Sequence, residues 1–349
     1  MSYKKVLFLQ PRQYFERLGV VFDTLPFDYE FGMPSFGIIT GKYKEYDAAV
    51  TCIDHSQYAR FICQEFKRSG VKVILVMDGV FEWANATNNP YLEKLAIKLL
   101  SPVCYDSVLT VDRALMDILR KEGVESDQYT KRVCEASLNN RQRFLITTAN
   151  TPYFDLSEYS FLVSAIKEIS DCLEENSIEF DYRIFDERLI KDLAIEDSRN
   201  KVSGTIEDVG SKYAGVFTTP SSIVISLMEI KIPVCIIDYR DGPLFVQSGW
   251  RKTPGSNTDK ILKSMLARDK DRMGYQSSQL ADKSTNEALR LTIDRYFRPF
   301  DPAVDYSQVN KDPFVISFEF YARKCIVFLR DNFKGFTQRI IVKVKNDKH

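Results

Sequence analysis

The sequence predicts an α/β protein of two domains, each built on an open, mostly parallel sheet with helices on both faces. Three observations carry that prediction. Short apolar runs alternate with amphipathic stretches along most of the chain, the pattern of repeated βαβ units whose strands are buried on both sides. The alternation fades over residues 122–143, where charge rises, and then restarts. A length of 349 residues is that of two domains of ordinary size, each able to bury its own core.

In the first half, residues 5–9, 48–53 and 71–77 read as strands, and residues 56–68 as a helix stopped by Gly70. Residues 108–111 add a strand, followed by the helical "RALMDILRKEG". The stretch 122–143 reads as the interdomain connection. "FLITTAN" (144–150) opens the second half, followed by helix "SEYSFLVSAIKEISDCLEEN", strand "EFDYRIF" and helix "ERLIKDLA". Next comes a strand, a hydroxylated turn, a helix and a strand in "VFTTPSSIVISLMEIKIPVCIIDYRDGP". Residues 259–297 are helical and charged, and "RPFDPAVDYSQVNKDP" is a proline-punctuated loop. The expected domains are residues 1–140 and 141–300, with a C-terminal extension over 301–349. In that extension Lys334, Arg339, Lys343, Lys345 and Lys348 alternate with apolar residues. An edge strand or returning helix blunted by lysine is the first reading; contact with anionic lipid, peripheral at the inner membrane face, is the second.

Charge narrows the partners. Lys+Arg and Asp+Glu are both 48, so the chain lacks the basic footprint of a nucleic-acid binder, and any anion site is local. No run of about 18 apolar residues occurs. The start "MSYKKVLFLQ" reads as a strand without a leader's cleavage site, so a cytoplasmic protein is expected. Seven scattered cysteines show no zinc spacing and read as reduced core thiols.

Candidate site residues gather at strand ends, where ligands bind in open α/β sheets. Thr218, Thr219, Ser221 and Ser222 follow one strand and open a helix, which makes them either caps or the holders of a phosphate. Arg240, Gln247 and Trp250 follow the next strand, in a polar loop able to close over a base or sugar. Asn150 and Thr151 follow the first strand of that half. Across the expected cleft, Asp78 ends a very apolar strand beside Gly79, and Glu82 lies four residues on. A carboxylate so placed suits general-base work. His55, one of two histidines in the chain, is a candidate assistant.

Residues 144–255 resemble the donor-binding half of GT-B glycosyltransferases. The likeness rests on the strand 215–217, the Ser221-Ser222 turn, the helix 223–230 and Pro233-Val234. It departs at Ser226, where that family commonly has a glutamate gripping the ribose; Glu229 is the nearest substitute. "MDGVFEW" is also similar, through Asp78, Gly79 and Phe81, to the acidic motif of bacterial capsule transferases that move Kdo. The resemblance implies two Rossmann-like domains facing a central cleft, a nucleotide-sugar donor on the C-terminal one, and a glycan or lipid-linked acceptor on the other. It also implies a role in bacterial surface polysaccharide synthesis. Asp78, Glu82 and His55 would then be catalytic and the other named residues donor-binding. No Asp-x-Asp metal signature stands out, so metal-independent transfer, with no cofactor beyond the donor, is expected. A nucleotide-sugar epimerase, which shares the architecture but leans on several histidines, is the alternative, as is a binding protein that has lost its chemistry.

Overall fold

Each sheet is assembled from strands whose carboxyl ends point the same way, and those ends carry the candidate residues. The computed structural model describes residues 4–33, 45–131, 143–240 and 242–295. In the first sheet lie β1 (Lys5–Phe8), β2 (Asp28–Phe31), β3 (Ala48–Thr51), β4 (Lys72–Val76), β5 (Ser107–Thr110) and β6 (Glu125–Gln128). Their order is β2-β1-β3-β4-β5-β6, parallel throughout. In the second lie β7 (Phe144–Thr147), β8 (Phe180–Arg183), β9 (Gly215–Thr218), β10 (Val234–Ile237) and β11 (Trp250–Lys252). Their order is β11-β10-β9-β7-β8, again parallel. Tail residues 301–349, and the reading attached to them, lie outside the described residues.

Two-residue periodicity sorts β4 between two cores. Ile74 and Val76 join one buried cluster, Val73 and Leu75 another. Successive strand side chains point to opposite faces, so a strand apolar on both sides is covered on both. The helix Gln57–Arg68 covers one face through Tyr58, Phe61, Ile62 and Phe66. Ser56 starts this helix by accepting from the Ala59 amide, and Gly70 at φ +79° ends it. The other face belongs to a cluster that crosses between domains, from Val6, Phe8 and Val76 to Val216, Val224 and Leu227. The two sheets therefore share an apolar interface.

The polar sixth strand corrects one expectation. Residues 125–128, "ESDQ", fell inside the stretch read as a connection, yet they pair with β5. Their charges are absorbed by ion pairs: Glu125 meets Lys72 and Arg295, and Asp127 meets Lys283 and Arg295. Arg295 follows helix Thr285–Asp294, which lies within the 141–300 span but packs on β5 and β6 of the first sheet. Lys72 Nζ donates to the Thr292 carbonyl at 2.6 Å, and Thr285 Oγ1 to the Leu18 carbonyl at 2.6 Å.

Where the chain leaves the first sheet, the Lys131 carbonyl passes over Gly19. A Cβ at residue 19 would lie 1.9 Å from that oxygen, and φ there is +83°. Gly19→Ala is therefore expected to destabilise the protein by about 2–4 kcal/mol, combining left-handed strain with overpacking against backbone. Urea denaturation measures it, and a cost under 0.5 kcal/mol (roughly the noise of a surface substitution) would remove the constraint.

Candidate functional site between the sheet ends

Asp78 stands two residues past β4, on a loop pinned from several sides. The Tyr129 hydroxyl donates to the Met77 carbonyl at 2.6 Å, and Lys131 Nζ to the Asp78 carbonyl at 3.0 Å. The Phe81 amide donates to Asp112 Oδ2 at 2.5 Å. The backbone is thus fixed while the Asp78 side chain stays exposed. Asp78 and His55 line one pocket of about 280 Å³ at the ends of β3 and β4, whose lining also includes Asn85 and Tyr91. The structure thus brings these two expected catalytic residues together. Cys52 also borders the pocket, but burial, aided by Asp78, pushes its thiol up to about 12, which makes it a poor nucleophile.

Glu82 and Arg240 are brought together as well, in a way the sequence did not anticipate. Arg240 Nη1 makes a short contact with Glu82 Oε1 across the domains, and its Nε lies 3.2 Å from Glu158 Oε2. Its Nη2 donates to the Pro152 carbonyl at 2.8 Å, and its guanidinium stacks on Phe154 and Tyr239. Glu158 is held by the start of helix Leu156–Glu175, where its carboxylate accepts from the Phe154 amide and its own amide caps on Asp155. Glu82, expected to assist chemistry, and Arg240, expected to hold the donor, neutralise each other in this conformation. Beside them Phe81 meets Phe245 edge-on, with centroids 4.9 Å apart.

The hydroxyl turn divides in two. Thr218 and Thr219 are fully buried and spend their hydroxyls internally, Thr218 on the Thr219 carbonyl and Thr219 by accepting from the Ala149 amide at 2.7 Å. Both side chains are buried with their hydroxyls spent, Thr219 tying the end of β9 to Ala149, so neither offers the free side chain that a donor-binding role expects. Ser221 Oγ accepts from the Ile223 amide at 3.3 Å, while Ser222 sits at the cap position without a side-chain cap bond. Ser222 also faces the acidic loop: a Cβ at Gly79 would lie 3.4 Å from the Ser222 Cβ. Asn150 and Thr151 are exposed past the end of β7.

Two further assignments change. Trp250, expected to close over a base, is 1% exposed in β11 and donates to Ser264 Oγ at 2.9 Å. It is a core residue because β10 offered an edge and the strand "WRK" filled it. Gln247 spends its amide on the Leu244 carbonyl at 2.6 Å, closing its own turn. Glu229, the substitute ribose ligand, is buried and accepts from the Lys131 amide at 3.0 Å.

Asp112 is the site's unforeseen carboxylate. It follows β5 as Asp78 follows β4, a placement legible in "VLTVDRAL". Burial pushes its pKa up to about 7, and Oδ1 has no partner among the described residues. No group of three His, Cys, Asp or Glu able to hold a metal occurs among the described residues, and no described helix is long and apolar enough to cross a membrane.

Comparison with known proteins places the fold. No family model and no curated protein sequence matches the chain. Among solved structures it is similar to a UDP-GlcNAc 2-epimerase from Methanocaldococcus jannaschii in complex with UDP-GlcNAc and UDP. That match has 13% identity and a TM-score of 0.52, over 83% of this chain and 99% of that one. The lipopolysaccharide outer core galactosyltransferase WaaB matches at 10% identity and TM-score 0.45, over 82% and 98% of the two chains. TarM matches at 14% and 0.45 over 71% of this chain, which spans only 54% of TarM. The chain has the two-domain, Rossmann-like GT-B fold.

Two measurements test the site's electrostatics. Arg240→Met leaves Glu82 and Glu158 without their buried cation, so a loss of about 3–5 kcal/mol is expected. A double-mutant cycle with Glu82→Gln should return a coupling of about 1 kcal/mol or more, and additive effects would make the pair incidental. For Asp112 the folded pKa lies above its ordinary 3.8. Between those values the folded chain keeps a proton the unfolded chain has lost, so this group's stabilisation falls as pH climbs from about 4 to 7. Asp112→Asn keeps an acceptor for Phe81. Its stability relative to the parent should rise by a few kcal/mol from pH 4 to 8, at about 1.4 kcal/mol per unit, and urea unfolding at each pH reads this.

Proposed function

We propose that the protein is a glycosyltransferase that takes a sugar from a nucleotide-sugar donor held at the Ser221-Ser222 turn and passes it to a glycan or lipid-linked acceptor. One observation carries the reading: Gly79, beside Asp78, is packed against Ser222 of the other domain. A ligand phosphate at the serine turn therefore brings its anomeric carbon toward Asp78. Asp78 takes the proton from the acceptor hydroxyl as the new glycosidic bond forms, and the bond to the nucleotide breaks with its electrons leaving on phosphate. Ser222 hydroxyl and the turn's amides receive that charge. The chain's Asp-x-Asp triplet, Asp269-Lys270-Asp271, starts helix Lys270–Ser278, with Asp269 accepting from the Asp271 and Arg272 amides, so this reading assigns no metal to phosphate departure.

The pocket on the Asp78 side is lined by first-domain residues alone, and this reading gives it to the second substrate, which favours transfer over epimerisation. Epimerisation of a nucleotide sugar remains the second reading. It is favoured by Asp112, a carboxylate that holds a proton near neutral pH, placed behind the same loop.

The test combines binding and turnover. A nucleotide at a hundred times its Kd should stabilise the parent by about 2.7 kcal/mol. Ser221→Ala with Ser222→Ala should lose that gain, and Asp78→Asn should keep it while turnover falls about 10²–10⁴-fold. Nucleotide release that requires acceptor glycan supports transfer, whereas a new sugar epimer formed without acceptor replaces it with the second reading. No stabilisation by any of UDP, GDP, CDP or CMP removes both.

A further inference from the structure

Arg240 links the carboxyl ends of neighbouring strands in the second sheet. It is rooted past the end of β10, and its Nη2 donates to the Pro152 carbonyl, past the end of β7, at 2.8 Å. Between β10 and β7 lies β9. The side chain therefore crosses the end of β9, from which the Ser221-Ser222 turn departs. Its own domain already seats it: Glu158 lies 3.2 Å from Nε, and the guanidinium stands 4.7 Å from the Phe154 ring centre and 5.1 Å from that of Tyr239.

The remaining corner of the fork belongs to the other domain. Glu82 meets Nη1 from the first sheet's loop. Glu82 stands at the cap position of helix Trp83–Asn88, yet its side chain caps nothing there and reaches across the cleft instead. Beside it, Gly242 of the second domain packs on Trp83, where a Cβ would lie 3.6 Å from Trp83 Cδ1. The side chains of Arg240 and Glu82 are 7% and 17% exposed, so the corner that Glu82 fills is closed to a second anion.

A carboxylate and a phosphate present the same kind of oxygen pair to a guanidinium. One can replace the other, and both cannot hold one Nη corner together. Exchange at that corner leaves Arg240 with Glu158 and the Pro152 carbonyl still in place, so the buried cation keeps a counter-charge throughout.

We infer that Glu82 occupies the seat of a nucleotide phosphate on Arg240, so that nucleotide binding and the Glu82–Arg240 contact exclude each other. The inference rests on the reading that gives a nucleotide to the Ser221-Ser222 turn. The carboxylate displaced by phosphate belongs to the loop of Asp78, so nucleotide arrival unties that loop from the second domain at Glu82.

Titration calorimetry of the full chain with UDP, GDP, CDP and CMP tests it. Glu82→Gln removes the competing charge while Glu158 keeps Arg240 paired. It should tighten nucleotide binding about five-fold or more, because the fraction of chains with the seat open scales the apparent Kd. Asp78→Asn, which removes a carboxylate from the same loop, should leave the affinity at the parent's value. In Arg240→Lys, which keeps the charge but loses the fork, the gain from Glu82→Gln should shrink to about two-fold or less. A gain shared by CMP marks the phosphate next to the ribose, and a gain confined to the diphosphates marks the terminal one. Unchanged or weaker binding in Glu82→Gln overturns the inference, as does an equal gain in Asp78→Asn or an undiminished gain in Arg240→Lys. The parent's affinity separates the failures. If the parent binds a nucleotide and Glu82→Gln adds nothing, the shared seat alone falls; if neither chain binds any of the four, the nucleotide-sugar reading falls with it.

Discussion

One buried guanidinium holds the cleft in its present form. Arg240 belongs to the second sheet, yet the nearest charge to it is Glu82 of the first, and Glu158 and the Pro152 carbonyl hold it from behind. A buried cation cannot be left without a counter-charge. The loop carrying Asp78 to Glu82, pinned by Tyr129, Lys131 and Asp112, therefore meets the second domain where Glu82 faces Arg240. The Gly79–Ser222 approach and the Phe81–Phe245 contact depend on that positioning.

Against this electrostatic tie, the hydrophobic cluster shared between the sheets gives adhesion without direction. Apolar contact is proportional to area and tolerates sliding, whereas a guanidinium between two carboxylates has one register. The site combines both: a broad apolar interface that keeps the domains together, and a few polar contacts that decide which loop meets which turn. Lys131 adds a further tie, its amide on Glu229 of the second domain and its ammonium on the Asp78 carbonyl.

Much of this was legible from residue patterns, and the exceptions share a cause. Strands such as 72–76 announce themselves because both faces are apolar, and Ser56 and Gly70 mark their helix by capping chemistry. The strand "ESDQ" does not, because its burial depends on Lys72, Lys283 and Arg295, which come from distant parts of the chain. Trp250 misled for the complementary reason: a polar loop preceded it, but the sheet edge that buries it could not be seen locally. Asp78 and His55 meet at one pocket because each follows a strand end, and strand-end position is local information. Thr218 and Thr219 looked identical in kind to Ser221 and Ser222, and only the β7 neighbour separates fasteners from a free hydroxyl. Glu82 and Arg240, each read alone, looked available to a ligand; their mutual neutralisation is a property of the pair.

Helix Thr285–Asp294 gives the chain an order of events. It lies beyond the whole second sheet in sequence, yet its Thr285 and Thr292 backbone or hydroxyl groups meet Leu18 and Lys72, and Asn286 brackets Val21 with bonds of 3.0 and 2.7 Å. During synthesis the first domain emerges early but lacks this last layer until residue 295 has left the ribosome. Domains generally fold as units in the order they are made, and here the first unit stays unfinished while the second assembles. Closing the first core then waits on a helix made after the second sheet, and among the described residues the chain passes from the first domain to the second and back.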